Sequence, residues 1–205
     1  MTAEPQPAPG RADFALKPTL TGERAVLRPF TAEDAPTMAR ILAYPEVTHF
    51  TGAPTRPLTT EVLHSWYASR SEQTDRLDLA VTDRTTGQLL GESVLFDWDE
   101  PNRSCTFRIL LGPAGRGRGV GTETVRLTLA HAFGHLRLHR VRLGAFAFNE
   151  RALHVYRTAG FVTERVHREA TLRDGTPHDE VTMAVLARDW AGHQGYPAGF
   201  SARAR

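Results

Sequence analysis

Leu111-Gly-Pro-Ala-Gly-Arg116-Gly-Arg-Gly119-Val-Gly121-Thr-Glu123 is the stretch from which the chain is best read. Before it, residues 104–111 alternate like a strand, with Cys105, Phe107, Ile109 and Leu111 on one face. After it, Val125, Leu129, Ala132, Phe133 and Leu136 form one stripe, which predicts a helix over 122–136. Glycines between a strand end and a helix start make an anion site. The first-turn N–H groups are free, the helix dipole adds partial positive charge, and glycine lets a phosphate approach the backbone. Arg116 and Arg118 add cationic charge. The spacing is not that of a P-loop, which needs a Gly-Lys-Ser/Thr. It is not a dinucleotide fingerprint either, since the last glycine would fall on Val120 or Thr122. Taken alone, the loop also reads as a flexible, soluble turn.

Working outward, period-2 and period-3.6 patterns alternate. Residues 24–30 read as a short strand. Thr31 or Asp34 caps a helix with Met38, Ile41 and Leu42 on its apolar face, and Pro36 in the first turn favours Asp34. A second helix starts at Thr60, with Val62, Leu63, Trp66 and Tyr67 at helical spacing. Leu77, Leu79 and Val81 alternate. Turns at 83–87 and 97–102 then separate strands 89–96 and 104–111, an antiparallel meander. Residues 140–148 read as a strand, 150–159 as a helix ended by Gly160, and 161–168 with 180–186 as a hairpin around Asp174-Gly175. The run of strand, loop, helix and strand is a crossover unit, so part of the sheet is parallel. The expected class is α/β (α+β): a mixed, mostly antiparallel central sheet flanked by helices.

Length and composition exclude several chemistries. The 205 residues, 40% hydrophobic and 23% charged, suit one core: a flexible leader over 1–18, one domain over 19–190 and a loose tail over 191–205. A net charge of +2 makes no case for nucleic acid or a membrane surface. Cys105 is the only cysteine, so no disulfide framework or Cys-rich zinc site exists. Lys17 is the only lysine, which argues against Schiff-base and P-loop chemistry. No apolar run is long enough to span a bilayer, and the N-terminus has no signal-peptide pattern, so the expected location is cytoplasmic.

A second segment, Asn149-Glu-Arg-Ala-Leu-His-Val-Tyr156-Arg-Thr-Ala-Gly160-Phe161, completes a resemblance. With it, the glycine loop is similar to the coenzyme A signature of the GNAT N-acetyltransferases, Gln/Arg-x-x-Gly-x-Gly/Ala, matched here by Arg116, Gly119 and Gly121. Leu27-Arg28-Pro29 followed by Asp34 also resembles the Rim-type branch, which acetylates ribosomal-protein N-termini. Arg108 and Ala152 depart from that branch, which often has glycine and serine there. The resemblance spans about residues 20–188.

It implies direct attack of an amine on acetyl-CoA, with no metal. Arg116, Gly117, Arg118, Gly119, Val120 and Gly121 would hold the pyrophosphate through backbone N–H groups. Ile109, Leu110 and Leu111 would pair with the pantetheine arm as an added strand, one backbone N–H facing the thioester oxygen. Such a donor is typically worth about 2.7–4 kcal/mol in the transition state. Tyr156 would protonate the leaving thiolate, and Asn149 would bind a pantetheine amide, although it also reads as an ordinary helix cap. Glu92 is the first candidate base, with Asp97, Asp99 and Glu100 crowding the next turn; taken singly, each reads more simply as a solvated surface carboxylate. Glu123 follows the loop and suits the helix dipole. Expected partners are an amine substrate, either a protein N-terminus or a small amine such as a polyamine or aminoglycoside, and a second copy in a homodimer. The competing reading is a non-catalytic acyl-CoA sensor. His131 and His135 read as surface residues, Cys105 as packing, and Trp66, Trp98 and Trp190 as core or turn anchors.

Overall fold

The computed structural model describes residues 12–51, 59–173, 175–193 and 201–203. Alternation in the sequence becomes nine strands: β1 (Thr19–Thr21), β2 (Ala25–Pro29), β3 (Leu77–Asp83), β4 (Leu89–Asp99), β5 (Ser104–Leu111), β6 (Arg140–Phe146), β7 (Val162–Arg173), β8 (Thr176–Leu186) and β9 (Ser201–Arg203). Six helices join them: α1 (Ala35–Leu42), α2 (Pro45–Thr51), α3 (Thr60–Ala68), α4 (Val120–Gly134), α5 (Glu150–Thr158) and α6 (Ala187–His193). The strands form one sheet in the order β7-β8-β6-β5-β4-β3-β2-β1-β9. Every pairing in it is antiparallel except β5 with β6. This is the mixed, mostly antiparallel α/β architecture expected.

Both faces of the sheet are covered. The larger core lies under α4 and α5, where Val125, Leu129, Leu153 and Phe161 meet Leu79, Leu95, Phe107, Val141 and Met183. The second lies under α1 to α3, where Met38, Ile41, Val47, Leu63 and Tyr67 meet Ala80, Leu89 and Leu110. Residues of β5 therefore serve both: Phe107 packs on the first side and Leu110 on the second. Burial on two faces explains why β3 is buried almost throughout, Asp78 and Thr82 included, rather than at alternate residues.

Several elements differ from expectation, each for a tertiary reason. The leader is anchored from its described start, because Phe14 is buried against Trp98 and the Lys17 ammonium donates to the carbonyls of Phe14, Gln73 and Arg76. In the tail, Ser201–Arg203 pairs with Thr19–Thr21 instead of lying loose. The short helix α2 was not foreseen. Helix α4 begins at Val120, two residues early, because Gly119 caps it. Strand β4 runs on to Asp99 through an irregularity, with Asp97 at φ +52. The final hairpin is longer than expected on both arms, and Asp174 lies outside the described residues. On α3 only Leu63 and Tyr67 are buried, while Val62 and Trp66 face outward. His131 is buried at 3% exposure rather than on the surface, stacked on His135, because α4 is covered on more than one side. Cys105 is packing, its thiol pushed up to about 12 by burial. Among the described residues, no helix is long and apolar enough to cross a membrane.

Candidate active site

Parallel pairing of β5 and β6 is short. It joins Ser104 to Arg140, Cys105 to Val141 and Thr106 to Arg142, and then stops. Beyond Thr106 the two strands part in mid-sheet. The gap opens a cavity of about 1190 Å³ bordered by Phe107–Leu111 on one side and Gly144–Phe146 on the other. An unpaired strand edge presents N–H and C=O groups that an extended, amide-bearing ligand can satisfy.

The glycine loop closes one end of this gap. A short 3-10 turn, Pro113–Gly115, leads into Arg116, whose Nε donates to the Leu111 carbonyl at 2.9 Å. Gly117 and Gly119 have φ of +73 and +78, left-handed values that side chains disfavour. Together they turn the backbone into α4 without any side-chain cap, so the first-turn N–H groups are left for a ligand. The Gly117 Cα faces open space. Arg24, which sequence reasoning passed over, lies beside Gly119, where an added Cβ would come within 3.4 Å of its side chain. Glu123 has a structural post: its carboxylate accepts the backbone N–H groups of Glu23, Arg24 and Ala25 at 2.7–2.8 Å, holding the β1–β2 turn against α4.

The sequence candidates fall into two groups. Ile109, Leu110, Leu111, Arg116, Gly117, Gly119, Gly121, Asn149 and Tyr156 all line the cavity. Arg118 turns away to pair with Asp83 at 3.0 Å, and the Val120 side chain is buried in the core. Asn149 caps α5, its Oδ1 accepting the Ala152 N–H at 3.2 Å, while it also borders the gap. Tyr156 packs edge-on to Phe107 and Phe161. Burial pushes its hydroxyl up to about 12, so the group is a proton donor at any ordinary pH.

Glu92 does not line the cavity. It is enclosed beneath α3, facing Tyr67, and its carboxylate accepts from Arg108 Nη2 at 2.8 Å. Burial pushes it up from the usual carboxylate range, and the Arg108 charge opposes that shift. Arg108, in turn, is on the cavity wall. The acidic turn lies elsewhere: Asp97 accepts from Thr106, and Asp99 from Asn102. The carboxylates at the cavity are instead Glu46, Glu150 and Glu180. Glu46 is ion-paired with Arg116, and Glu150 is exposed at the start of α5. Glu180 lies on β8 opposite Phe146, and its Oε1 fills the space that a Cβ on Gly144 would need. No hydrogen bond or ion pair engages Glu180 among the described residues. Val181 and Met183 point into the core under α4 and α5, so Glu180 faces the other side of the sheet, with α2. The cavity therefore passes through the sheet, with Tyr156 and the loop toward one face and Glu180 toward the other. No periodicity marks Glu46 or Glu180 as site residues; the lone signal was Gly144 within a strand, where glycine often means close approach.

Residues 24–162 match the family described as the acetyltransferase (GNAT) domain. The chain is 29% identical over 124 residues to a protein of Bacillus subtilis strain 168 named "Probable N-acetyltransferase YjcK", covering 60% of this chain and 68% of that one. It is 28% identical over 106 residues to the spermidine N(1)-acetyltransferase of Vibrio cholerae, covering 52% of this chain and 61% of the relative. The solved structure of spermidine N-acetyltransferase from Vibrio cholerae in complex with CoA and spermine superposes with a TM-score of 0.76, at 21% identity, over 83% of this chain and 99% of that one. A GCN5-related N-acetyltransferase from Brucella melitensis gives 0.72 at 24% identity, over 95% and 87%.

Proposed function

The chain belongs to the GNAT acetyltransferase family, and on that premise we propose that it transfers an acetyl group from acetyl-CoA to a primary amine. The observation that carries the proposal is one cavity bordered by an unpaired strand edge, an uncapped helix N-terminus and a buried tyrosine. The first-turn amides after Gly119, with Arg116 and Arg24, hold the diphosphate. The open edge of β5 from Phe107 to Leu111 pairs with the amides of the pantetheine arm, and Asn149 binds from the α5 side. A backbone N–H of β5 near Leu110 faces the thioester oxygen and stabilises the charge that develops there.

The amine nitrogen attacks the thioester carbon, a C–N bond forms and the C–S bond breaks. Tyr156 gives its proton to the departing thiolate, which its neutral hydroxyl is suited to do. The ammonium form of the acceptor must first lose a proton, to water or to Glu180. Of the two residues that the sequence suggests for catalysis, Tyr156, which lines the cavity, is the acid in this reading, while Glu92, which does not, holds Arg108 at the cavity wall. Protein N-termini, implied by the likeness to the Rim-type branch, and small amines both present the nucleophile that this site requires.

Titration calorimetry with CoA and a thiol-release assay with acetyl-CoA over an amine panel, peptides included, test the proposal. Binding of CoA with turnover abolished by Tyr156→Phe supports it. CoA binding with no turnover on any amine points to a sensor, and absence of CoA binding defeats it.

A further inference from the structure

The face of the cavity opposite Tyr156 is aromatic. Phe146 and Phe148 stack with centroids 5.1 Å apart, and Phe50 lies 6.0 Å from Phe148. His49 and His178 flank Phe148, each at 4.8 Å. Phe50, Phe146 and Phe148 all line the cavity and are only half-buried, so part of each ring is exposed there. Leu172, 73% exposed, extends this apolar wall at the mouth.

Charge on this wall is sparse and asymmetric. Glu180 is the half-buried carboxylate without a partner among the described residues, directly across from Phe146. The guanidinium of Arg173 lies 5.3 Å over the Phe146 ring, and its Nη2 donates to the Thr48 carbonyl at 3.0 Å, pinning it there. Of the other charged residues at the cavity, Glu46 is paired with Arg116, Arg108 with Glu92, and Glu150 and Arg151 are exposed at the start of α5; among the described residues Glu180 is thus the half-buried unpaired anion near the gap, and Arg173 a fixed cation farther along the aromatic surface. Along the aromatic surface, a second ammonium group of a polyamine would meet Arg173 rather than a carboxylate. A molecule with one ammonium and an apolar ring would match both halves: its charge at Glu180 and its ring among the phenylalanines.

Resting on the acetyltransferase reading above, we infer that the acceptor is an arylalkyl monoamine, bound with its nitrogen at Glu180 and its ring against Phe50, Phe146 and Phe148. Glu180 is the ammonium-binding group, and Phe148, in contact with four other rings on this wall (His49, Phe50, Phe146 and His178), is the centre of the ring site. This differs from the polyamine named for the spermidine acetyltransferases to which the chain is similar.

The test compares phenethylamine, tryptamine and spermidine as acceptors in the thiol-release assay, with the wild-type chain and with Phe148→Ala and Glu180→Gln. Phenethylamine or tryptamine should exceed spermidine in kcat/KM by about tenfold or more. Phe148→Ala should raise the KM for these amines about tenfold, and Glu180→Gln likewise, with the Kd for CoA unchanged in both. A wild-type chain that binds CoA but prefers spermidine, or acetylates no arylalkylamine, overturns this inference and leaves CoA binding standing. A Phe148→Ala variant that binds CoA normally and keeps its arylalkylamine KM also overturns it. Failure of the wild-type chain to bind CoA overturns both this inference and the reading beneath it.

Discussion

Arg116, on the glycine loop, is ion-paired with Glu46 on α2, the helix that supplies the opposite wall of the cavity. The pair links the two ends of the site: a phosphate arriving at Arg116 must compete with the Glu46 carboxylate. Glu46 is 68% exposed, so the pair itself is weak, within the roughly 0.2–1 kcal/mol typical of exposed ion pairs. Glu46→Gln should therefore tighten CoA binding about two- to fivefold in titration calorimetry at low salt. Weaker binding by the variant would show that Glu46 orients Arg116 rather than competing for it.

Gly119 has φ +78 and its Cα faces Arg24. Gly119→Ala should cost about 1–2 kcal/mol of stability from backbone strain alone. It should also weaken CoA binding, because the turn delivering the α4 amides is distorted. Urea unfolding and CoA titration read the two effects separately; an unchanged Kd would remove Gly119 from the phosphate site.

Tyr156→Phe keeps the ring contacts with Phe107 and Phe161 and removes only the hydroxyl. Turnover should fall on the order of 10²–10⁴-fold, the range for a general acid, while CoA affinity holds. Since burial raises the hydroxyl to about 12, the wild-type rate should climb with pH as the amine loses its proton, with no falling limb from Tyr156 between pH 7 and about 10. A falling limb in that range, absent from the variant, would mean that Tyr156 ionises lower than its burial implies, and a Tyr156→Phe variant that keeps wild-type turnover would remove Tyr156 as the acid.

Arg108 is the counter-ion of an enclosed carboxylate. Arg108→Ala strands Glu92 and should destabilise the fold by about 1–3 kcal/mol at pH 7. Adding Glu92→Gln should recover most of that loss, giving a double-mutant coupling that chemical denaturation can measure. Additive losses would mean that the pair contributes nothing as a unit.

His131 is neutral in the folded protein, its pKa pushed down to about 4 by burial first and by His135 second. The unfolded chain takes up that proton near 6.5, the folded one only near 4. Stability should thus decline as pH falls through this window, by on the order of 3 kcal/mol from this residue, and no further below it. His131→Leu should flatten that part of the pH profile in urea melts. An equally steep profile in the variant would assign the acid sensitivity to other groups.

Much of the architecture was legible because it rests on local patterns. The meander of β3, β4 and β5 follows from alternation with turns at Asp83 and Asn102. Helix α5 follows from the cap at Asn149 and the stop at Gly160. Helix α2, the burial of Phe14 and His131, and the outward turn of Trp66 have no such signal, since each depends on what another segment places beside it. Glu92 and Glu180 show the same division at the site. Both are acidic residues on strands, and only packing decides that the first is enclosed with Arg108 while the second borders the gap.

By itself, the order of residues determined that a strand hands over to a helix through glycines able to adopt left-handed turns, and that a tyrosine follows one helix later. Those are constraints within a few residues of each other, carried by backbone sterics and side-chain period. Tertiary structure alone decided that β5 and β6 part after Thr106, and that the gap runs through the sheet from Tyr156 to an aromatic wall with Glu180 at its edge. Strand separation depends on how two layers of helices pack against a twisted sheet, and no local pattern encodes that sum of distant contacts.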